Sequence, residues 1–347
     1  MHEPADLKTQ RFDGRKPLPH LTNAPAHEKY IRSYLVDLGA QSILEEPHYF
    51  DRDYLSEFEG YYATSARGYV NVCKRLHFFS VPLSRQKLKR ALGGSERTLK
   101  NLRDAYLGFC VVRPLGASPF GKTVLRWYPE RDRDLPRVTE SRRRYTCHIA
   151  GVPFWVEGLA WQQQDSSVSA CATIALWSMF QSSAFSEDCA IPTTYEITRT
   201  AHQTSGYGRR AFPSRGLTSD QLGEVIKTMG LQPARIDGEN WVVTGGDRLG
   251  YFSPERFSPI VCGLLRSGYP ILVTGSLWEE RGDELLGEFR GHHAVCISGF
   301  REPELPIDGE WGLQDRKLRY VYNEDIREIL EFSRLSQSLG TSVSAYY

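Results

Sequence analysis

The chain has 347 residues, of which 40% are hydrophobic and 24% are charged, and its net charge is +1. This composition is typical of a folded protein and excludes a disordered one, and the length allows about two domains. The seven cysteines are scattered and form no CxxC pair, which argues against a disulfide scaffold and against a structural zinc site. They are Cys73, Cys110, Cys147, Cys171, Cys189, Cys262 and Cys296.

The N-terminal stretch lacks the apolar segment of a signal peptide, and no window approaches the ~18 apolar residues of a membrane span. We therefore expect a cytoplasmic protein that does not enter a membrane. The charge is unevenly distributed. Residues 1–150 hold 26 Lys and Arg against 17 Asp and Glu (+9), and the remainder holds 17 against 25 (−8). Two halves of opposite charge suggest two different roles.

The first half of the chain is predicted to begin with a polar, Pro-rich flexible arm over residues 1–26. Apolar residues at intervals of three and four then predict helices over 29–44 and 54–79. Two short helices follow on either side of Gly93 and Gly94, the second capped by Ser95. Four runs rich in β-branched and aromatic residues then predict strands; they are FCVVRPL, KTVLRWYP, RYTCHIAG and VPFWVEGLAW.

In the second half of the chain, most of the predicted helices come before the predicted strands. Helices are predicted over 171–183, about 192–203, 216–230 and around 255–268, with a short strand LQPARI before the last of them. The strands YPILVTGSL, HHAVCISGF and LRYVYNED come next. This order predicts an α+β fold with a mainly antiparallel sheet. Neither GxGxxG nor GxxxxGK[ST] occurs, so no nucleotide cofactor is predicted, and none of another kind.

Cys171 opens a helix with the apolar stripe Ala172, Ala175, Leu176, Met179 and Phe180. The unpaired N–H groups and the dipole at a helix start favour a thiolate, and the small neighbouring residues leave room for a substrate. The alternative is a buried structural thiol.

His293 begins the apolar strand HHAVCISGF, 122 residues after Cys171, close to the ~130 residues that separate the nucleophile and the base of papain-type enzymes. An imidazole there would hold the thiolate and later protonate a leaving amine. His292 must point to the opposite face of the strand, so one of these two histidines is a bystander.

Two motifs carry a resemblance to a known family. The pattern H-A-V-x-x-x-G-aromatic from His293 to Phe300 resembles the histidine strand of papain-like cysteine peptidases. The run QQD that ends at Asp165, followed by Cys171, is similar to the nucleophile segment of the bacterial branch that trims leader peptides. The segments GLTSDQLGEVIKTMGLQPARI, GYPILV and YVYNED are also similar to that branch, and together these pieces cover about residues 160–325.

The resemblance implies a papain-like domain over residues 151–347. Outside the resemblance, residues 27–150 are expected to form a basic helical and β region of unknown role. The resemblance also implies that Cys171 is the nucleophile, His293 the general base and acid, and Asn323 the residue that orients the imidazole. Gln164 would join the backbone N–H of Cys171 in the oxyanion hole.

Two assignments stay open. Asp325 is the rival of Asn323, since either side chain can accept from the second imidazole nitrogen. Gln163 is the rival of Gln164, because relatives commonly keep the glutamine six residues before the cysteine, where this chain has Asp165. The chain also has Ala172 where relatives have Gly or Trp.

The preferred function is a thiol peptidase that cleaves a peptide or isopeptide bond in a protein partner. One alternative is an acyl-transfer enzyme of the same fold, such as a deamidase, transglutaminase or amidase. The other is an inert regulator that binds DNA or protein. KLKRALGGSERTLKNL suits a DNA-binding helix-turn-helix, but a helical hairpin with a solvated basic face is the more common case, so nucleic acid is possible but not expected.

Overall fold

The computed structural model describes residues 7–127, 137–138, 140–182, 185, 190–203, 211–238, 240–244, 247–252, 254–279, 288–301, 319–322 and 344–346. It divides into two compact units. The N-terminal unit contains residues 1–129 and 143–165, and the C-terminal unit contains 130–142 and 166–347. Both combine helices with antiparallel strand pairs, which confirms the predicted α+β class with a mainly antiparallel sheet. Within the described ranges, no helix has both the length and the apolar character needed to cross a membrane.

The N-terminal unit is built on a six-stranded sheet in the order β1-β2-β3-β4-β5-β9, with a separate two-stranded β7-β8 ribbon. Its strands are β1 (Lys8–Arg11), β2 (Ser42–Tyr49), β3 (Cys73–Phe79), β4 (Tyr106–Val112), β5 (Phe120–Leu125), β7 (Arg143–Ile149), β8 (Val152–Gly158) and β9 (Ala160–Trp161). Its helices are α1 (Pro25–Asp37), α2 (Arg52–Gly60), α3 (Arg85–Leu92) and α4 (Glu96–Asp104), with a 3₁₀ turn at Tyr62–Thr64.

The sequence-based helix over 29–44 is wrong in its second part, because α1 ends at Asp37 and β2 begins at Ser42. Gly39 adopts a φ of +71°, and the N–H of Ala40 bonds the carbonyl of Leu35, which is the Schellman arrangement that ends a helix. In the sequence, the glycine of VDLGAQ, which is Gly39, indicates that the helix ends here.

The second predicted helix, over 54–79, is also wrong beyond residue 60, since β3 occupies its end. This strand is buried on both faces, so it lacks the polar–apolar alternation that marks an exposed strand. Two polar side chains of β3, Arg75 and His77, are buried, and both lie beside Glu46 of β2. Arg75 Nε lies 2.5 Å from the Glu46 carboxylate, and His77 Nε2 lies 2.9 Å from the same oxygen.

The prediction of a flexible arm over residues 1–26 is wrong from residue 7 onward, and residues 1–6 lie outside the described ranges. Strand β1 pairs with β2, from Lys8 opposite Glu45 to Arg11 opposite Ser42. Leu18 and Leu21 are buried in the unit. Main-chain pairing and two anchored leucines therefore order a segment whose composition is that of a linker.

The two predicted short helices are present as α3 and α4. Ser84 caps α3 by accepting from the N–H of Lys87. Ser95 does occupy the N-cap position of α4, but its hydroxyl pairs with that of Thr98, at 2.9 Å, instead of with a backbone N–H.

The C-terminal unit contains a sheet in the order β10-β16-β13-β14-β15, with β6 also pairing with β14, and a β11-β12 hairpin. Its strands are β6 (Arg137–Val138), β10 (Arg235–Ile236), β11 (Asn240–Thr244), β12 (Asp247–Tyr251), β13 (Ile271–Glu279), β14 (Glu288–Arg301), β15 (Arg319–Tyr322) and β16 (Ser344–Tyr346). Its helices are α5 (Cys171–Phe180), α6 (Thr194–Gln203), α7 (Ser219–Thr228) and α8 (Pro254–Arg266).

The core of the C-terminal unit forms where helices meet β13 and β14. Helix α8 contributes Val261 and Leu265 to an apolar cluster with Val273, Val295 and Ile297 of the sheet. Helix α5 packs against β14 and β13 and also against α6, which in turn packs against α7. The boundary between the units therefore differs from the expected one near residue 150, because the β7-β8 ribbon and residues 159–165 belong to the N-terminal unit.

A buried ion-pair cluster lies in the N-terminal unit, and we call Glu57, Arg113 and Asp165 the Arg113 cluster. The Arg113 side chain is 1% exposed, and its Nη1 lies 3.2 Å from Glu57 Oε2 and 3.6 Å from Asp165 Oδ2. Its Nη2 donates to the main-chain carbonyls of Ser118 and Gln163. Burial lowers the pKa of Arg113, but the two carboxylates outweigh this and hold the pKa above its usual value.

Removing the charge of Arg113 is expected to destabilise the N-terminal unit strongly. Arg113→Met would leave two carboxylates buried without their cation, and such a loss costs about 3–5 kcal/mol in the free energy of unfolding. Urea unfolding of the full chain, followed by circular dichroism, measures this cost. The matched control is Arg85→Met at an exposed arginine of the same unit. Equal midpoints for the two variants would contradict a stabilising role for the Arg113 cluster.

Candidate active site

Cys171 is the first residue of α5 and is half-buried, whereas Ala172 to Phe180 are all buried. The N-cap residue is Ala170, whose side chain has no polar atom to occupy the first N–H groups of the helix. The sulfur therefore stands where a buried helix meets accessible space. This position suits a nucleophile, because the N–H groups at a helix start stabilise negative charge nearby.

The segment before Cys171 is fixed by hydrogen bonds within the C-terminal unit. The N–H of Ser214 donates to the carbonyl of Ser167 at 2.6 Å, and the Thr198 hydroxyl donates to the carbonyl of Val168 at 3.0 Å. The hydroxyls of Thr198 and Thr173 are 2.9 Å apart, which ties α6 to α5. Both sides of the nucleophile position are thus held by α6 and by the loop before α7. Sequence reasoning missed these residues, because isolated threonines and serines carry no distinctive spacing.

The other described cysteines lie in environments that suppress reactivity. Burial raises the pKa of Cys110 to about 12, and it also raises the pKa of Cys73, Cys147 and Cys262. Cys296 is fully buried in β14. Since the thiolate is the reactive form, burial protects four of these positions from electrophiles, and the raised pKa makes the half-buried Cys262 less reactive. Cys189 lies outside the described residues.

His293 and His292 lie next to each other in β14 with opposite environments. His293 is 8% exposed, whereas His292 is exposed. The Oγ of Ser276 lies 3.1 Å from Nδ1 of His292, and the Phe289 ring packs edge-on against the same imidazole. The two imidazoles therefore point to opposite faces of the strand, as alternation requires.

Strand pairing defines the surroundings of His293. Gly275 of β13 stands opposite His293, so no side chain covers the imidazole from the directly paired position. By alternation His293 shares its side of β14 with Val295, whose side chain packs with α8, and His292 shares the other side with Ala294. Helix α5, which begins at Cys171, packs against this same strand. We expect at most one of the two imidazoles to meet the Cys171 sulfur.

The predicted orienting residues, Asn323 and its rival Asp325, lie outside the described residues. The strand that precedes them in sequence is described: β15 runs antiparallel beside β14 and pairs Tyr322 with Ile297. The orienting role of either residue stays a prediction.

The glutamine run before Cys171 belongs to the N-terminal unit, where two of its side chains are already engaged. Gln163 is buried, its Oε1 accepts from the N–H of Phe120, and its Nε2 donates to the carbonyl of Ala117, both at 3.3 Å. The Nε2 of Gln162 donates to Glu57 at 3.1 Å. Gln164 is half-buried. The amide of Gln163 thus serves two backbone partners within the N-terminal unit, and the choice between Gln163 and Gln164 for the oxyanion hole stays a prediction.

Asp165, which takes the place usual for that glutamine, is part of the Arg113 cluster. Asp165 therefore has a structural role within the N-terminal unit. Sequence reasoning missed Arg113, although a single arginine inside the apolar run FCVVRPL was a signal for a buried ion pair.

Within the ranges that the structure covers, no group of three or more His, Cys, Asp and Glu side chains has an arrangement that could hold a metal ion. His202, the histidine nearest the end of α6, has its Nδ1 2.8 Å from the carbonyl of Thr198 one turn earlier. This contact is local to the helix.

Comparison of the chain with protein-family models, with curated proteins and with solved structures finds no match. The function is therefore argued from the residues and their geometry.

Proposed function

We propose that the C-terminal unit is a papain-like thiol hydrolase that cleaves a peptide or isopeptide bond with Cys171 as the nucleophile. The observation that carries this proposal is that α5 packs against β14. The half-buried Cys171 is the first residue of α5, and His293 lies in β14. The antiparallel sheet with a buried helix on it agrees with the architecture that the sequence resemblance implies.

In the proposed reaction the Cys171 sulfur attacks the carbonyl carbon of the scissile bond, and His293 takes the thiol proton. The backbone N–H of Cys171 donates to the carbonyl oxygen as it becomes negative. When the C–N bond breaks, His293 gives its proton to the leaving amine and a thioester remains. Water, deprotonated by His293, then hydrolyses the thioester and frees the sulfur. Asn323 accepts from the other imidazole nitrogen and fixes the tautomer.

Three features support this assignment. Hydrogen bonds from Ser214 and Thr198 hold the segment before Cys171, so the sulfur has a defined position. Cys171 begins α5, and the N-cap residue Ala170 has no polar side chain to accept from the first N–H groups of the helix. A reduced thiol also fits the cytoplasmic setting that the cysteine distribution predicts.

A cleavage assay tests the proposed reaction. The chain is incubated with a mixture of peptides, and new termini are identified by mass spectrometry. We expect cleavage by the unmodified chain and none by Cys171→Ala. A mass gain of ~1 Da or a cross-link, in place of new termini, would instead identify a deamidase or transglutaminase. Cleavage that survives Cys171→Ala would overturn the proposal.

Selective alkylation tests the state of Cys171. We expect iodoacetamide at about pH 6 to label Cys171 roughly tenfold faster than the buried cysteines, because these have raised pKa values or no access to solvent. Tryptic mass spectrometry of a time course gives the rate for each cysteine. Half-buried Cys262 is the internal control. Similar rates for Cys171 and Cys262 would contradict an activated thiol.

Paired histidine variants identify the base. If His293 holds the thiolate, His293→Ala slows labelling of Cys171 by about tenfold or more, and His292→Ala leaves the rate near that of the unmodified chain. The neighbouring residue is a matched control, since both variants remove one imidazole from β14. Circular dichroism confirms that both variants fold. The opposite pattern would make His292 the base, and no effect from either variant would exclude an imidazole partner in this strand.

A further inference from the structure

A basic surface lies on the helical hairpin α3–α4 of the N-terminal unit. The two helices are joined by Gly93 and Gly94, and their apolar side chains Leu88, Ala91 and Leu102 are buried. The remaining faces are rich in cations. These are Arg85, Lys87, Lys89, Arg90, Arg97, Lys100 and Arg103, and only Glu96 and Asp104 in the two helices are acidic.

The β7-β8 ribbon continues this surface and adds an aromatic side chain. Trp155 of β8 is 37% exposed, and the guanidinium carbons of Arg103 and Arg144 lie 5.0 and 4.4 Å from its ring centroid. Arg103 belongs to α4, and its Nε donates to the carbonyl of Pro153 at 3.0 Å. This bond fixes the end of the hairpin beside the ribbon, so the cations and the indole form one surface.

We propose that this surface binds single-stranded nucleic acid, and we call it the Trp155 surface. It consists of the cations of α3 and α4, of Arg144 and of Trp155. The lysines and arginines bind successive phosphates, and an unpaired base stacks on the exposed indole or on the guanidinium groups beside it. The inference is independent of the thiol chemistry proposed for the C-terminal unit.

The composition of the surface favours nucleic acid over other anionic partners. A membrane-binding surface needs apolar side chains that enter the lipid, whereas this hairpin has no exposed apolar side chain, Leu92 and Leu99 being half-buried, and most of its cations are exposed. An acidic peptide would form ion pairs with the cations, but its carboxylates would make no stacking contact with the indole of Trp155. Arginine and tryptophan together match the phosphate and the π-face of a nucleotide.

The geometry also favours single strands over a duplex. The α3 and α4 helices have only eight and nine residues, and α4 is held against the ribbon by the Arg103 bond. Stacking on Trp155 requires a base that is not paired, and a duplex presents its bases edge-on. The sequence predicts a helical hairpin with a basic face, and the proposal assigns single-stranded nucleic acid to it as the ligand.

Fluorescence anisotropy with a labelled 20-nucleotide oligo(dT) and with a matched duplex tests the proposal on the full-length chain. We expect the oligo(dT) to bind more tightly than the duplex at low salt. If about five cations each meet one phosphate, the logarithm of the binding constant falls with the logarithm of the salt concentration with a slope of about −3 to −4. We expect Trp155→Ala to weaken oligo(dT) binding by about tenfold, as loss of one stacked base does.

Control variants distinguish binding by the Trp155 surface from non-specific electrostatic attraction. Lys100→Glu combined with Arg90→Glu should reduce both the affinity and the salt slope, whereas Arg67→Glu, at an exposed arginine of the same unit, should change neither by more than about twofold. Phe50→Ala, which removes another exposed aromatic side chain of that unit, is the control for Trp155→Ala. Circular dichroism and thermal unfolding verify that each variant folds.

Three results would overturn the inference. The first is no binding of oligo(dT) at 50 mM salt, and the second is equal weakening by the surface variants and their controls. The third is binding to phosphatidylserine vesicles or to a polyglutamate peptide with no preference for oligo(dT), which would assign the surface to lipid or to an acidic protein.

Discussion

Helix α5 is buried along its length except at Cys171, and this burial is the constraint on which the proposed chemistry depends. A helix that packs against β14, β13 and α6 cannot slide or rotate without exposing apolar side chains. Its first residue is therefore held at a fixed place relative to the sheet. The same packing that stabilises the C-terminal unit thereby positions the Cys171 thiol at a helix start with no side-chain cap, as the proposed role of nucleophile requires.

The residues just before this helix are governed by a different kind of interaction. Gln162, Gln163 and Asp165 are engaged by side chains and backbone of the N-terminal unit, mainly through Glu57 and Arg113. A buried arginine whose two terminal nitrogens are engaged fixes direction as well as position, because its guanidinium is planar and its donors point in set directions. These contacts hold residues 162–165 within the N-terminal unit, which also carries the basic Trp155 surface.

Much of the fold was predictable where the local pattern and the tertiary environment agree. The α+β class, the helices α3 to α8 and the strands β13 and β14 follow from apolar periodicity and from turn residues. Predictions failed where the environment overrode the pattern. Strand β3 is buried on both faces, so the spacing of its apolar residues resembles that of a helix. The N-terminal arm has the composition of a linker but is ordered by pairing with β2.

For the candidate site, the sequence by itself determined the residue types and their order: a cysteine at a helix start, a histidine in a strand, and glutamines upstream. The expectation that His293 begins its strand is wrong, because β14 already begins at Glu288. The sequence preferred His293 to His292 and Gln164 to Gln163 only through the family resemblance, since neighbouring residues of one type look alike in one dimension. The tertiary structure showed how the environments of these neighbours differ, because alternation in β14 buries only one imidazole and because Gln163 has backbone partners far away along the chain. Such contacts form only when the chain is folded, and for that reason burial and hydrogen-bond partners were decided by the tertiary structure alone.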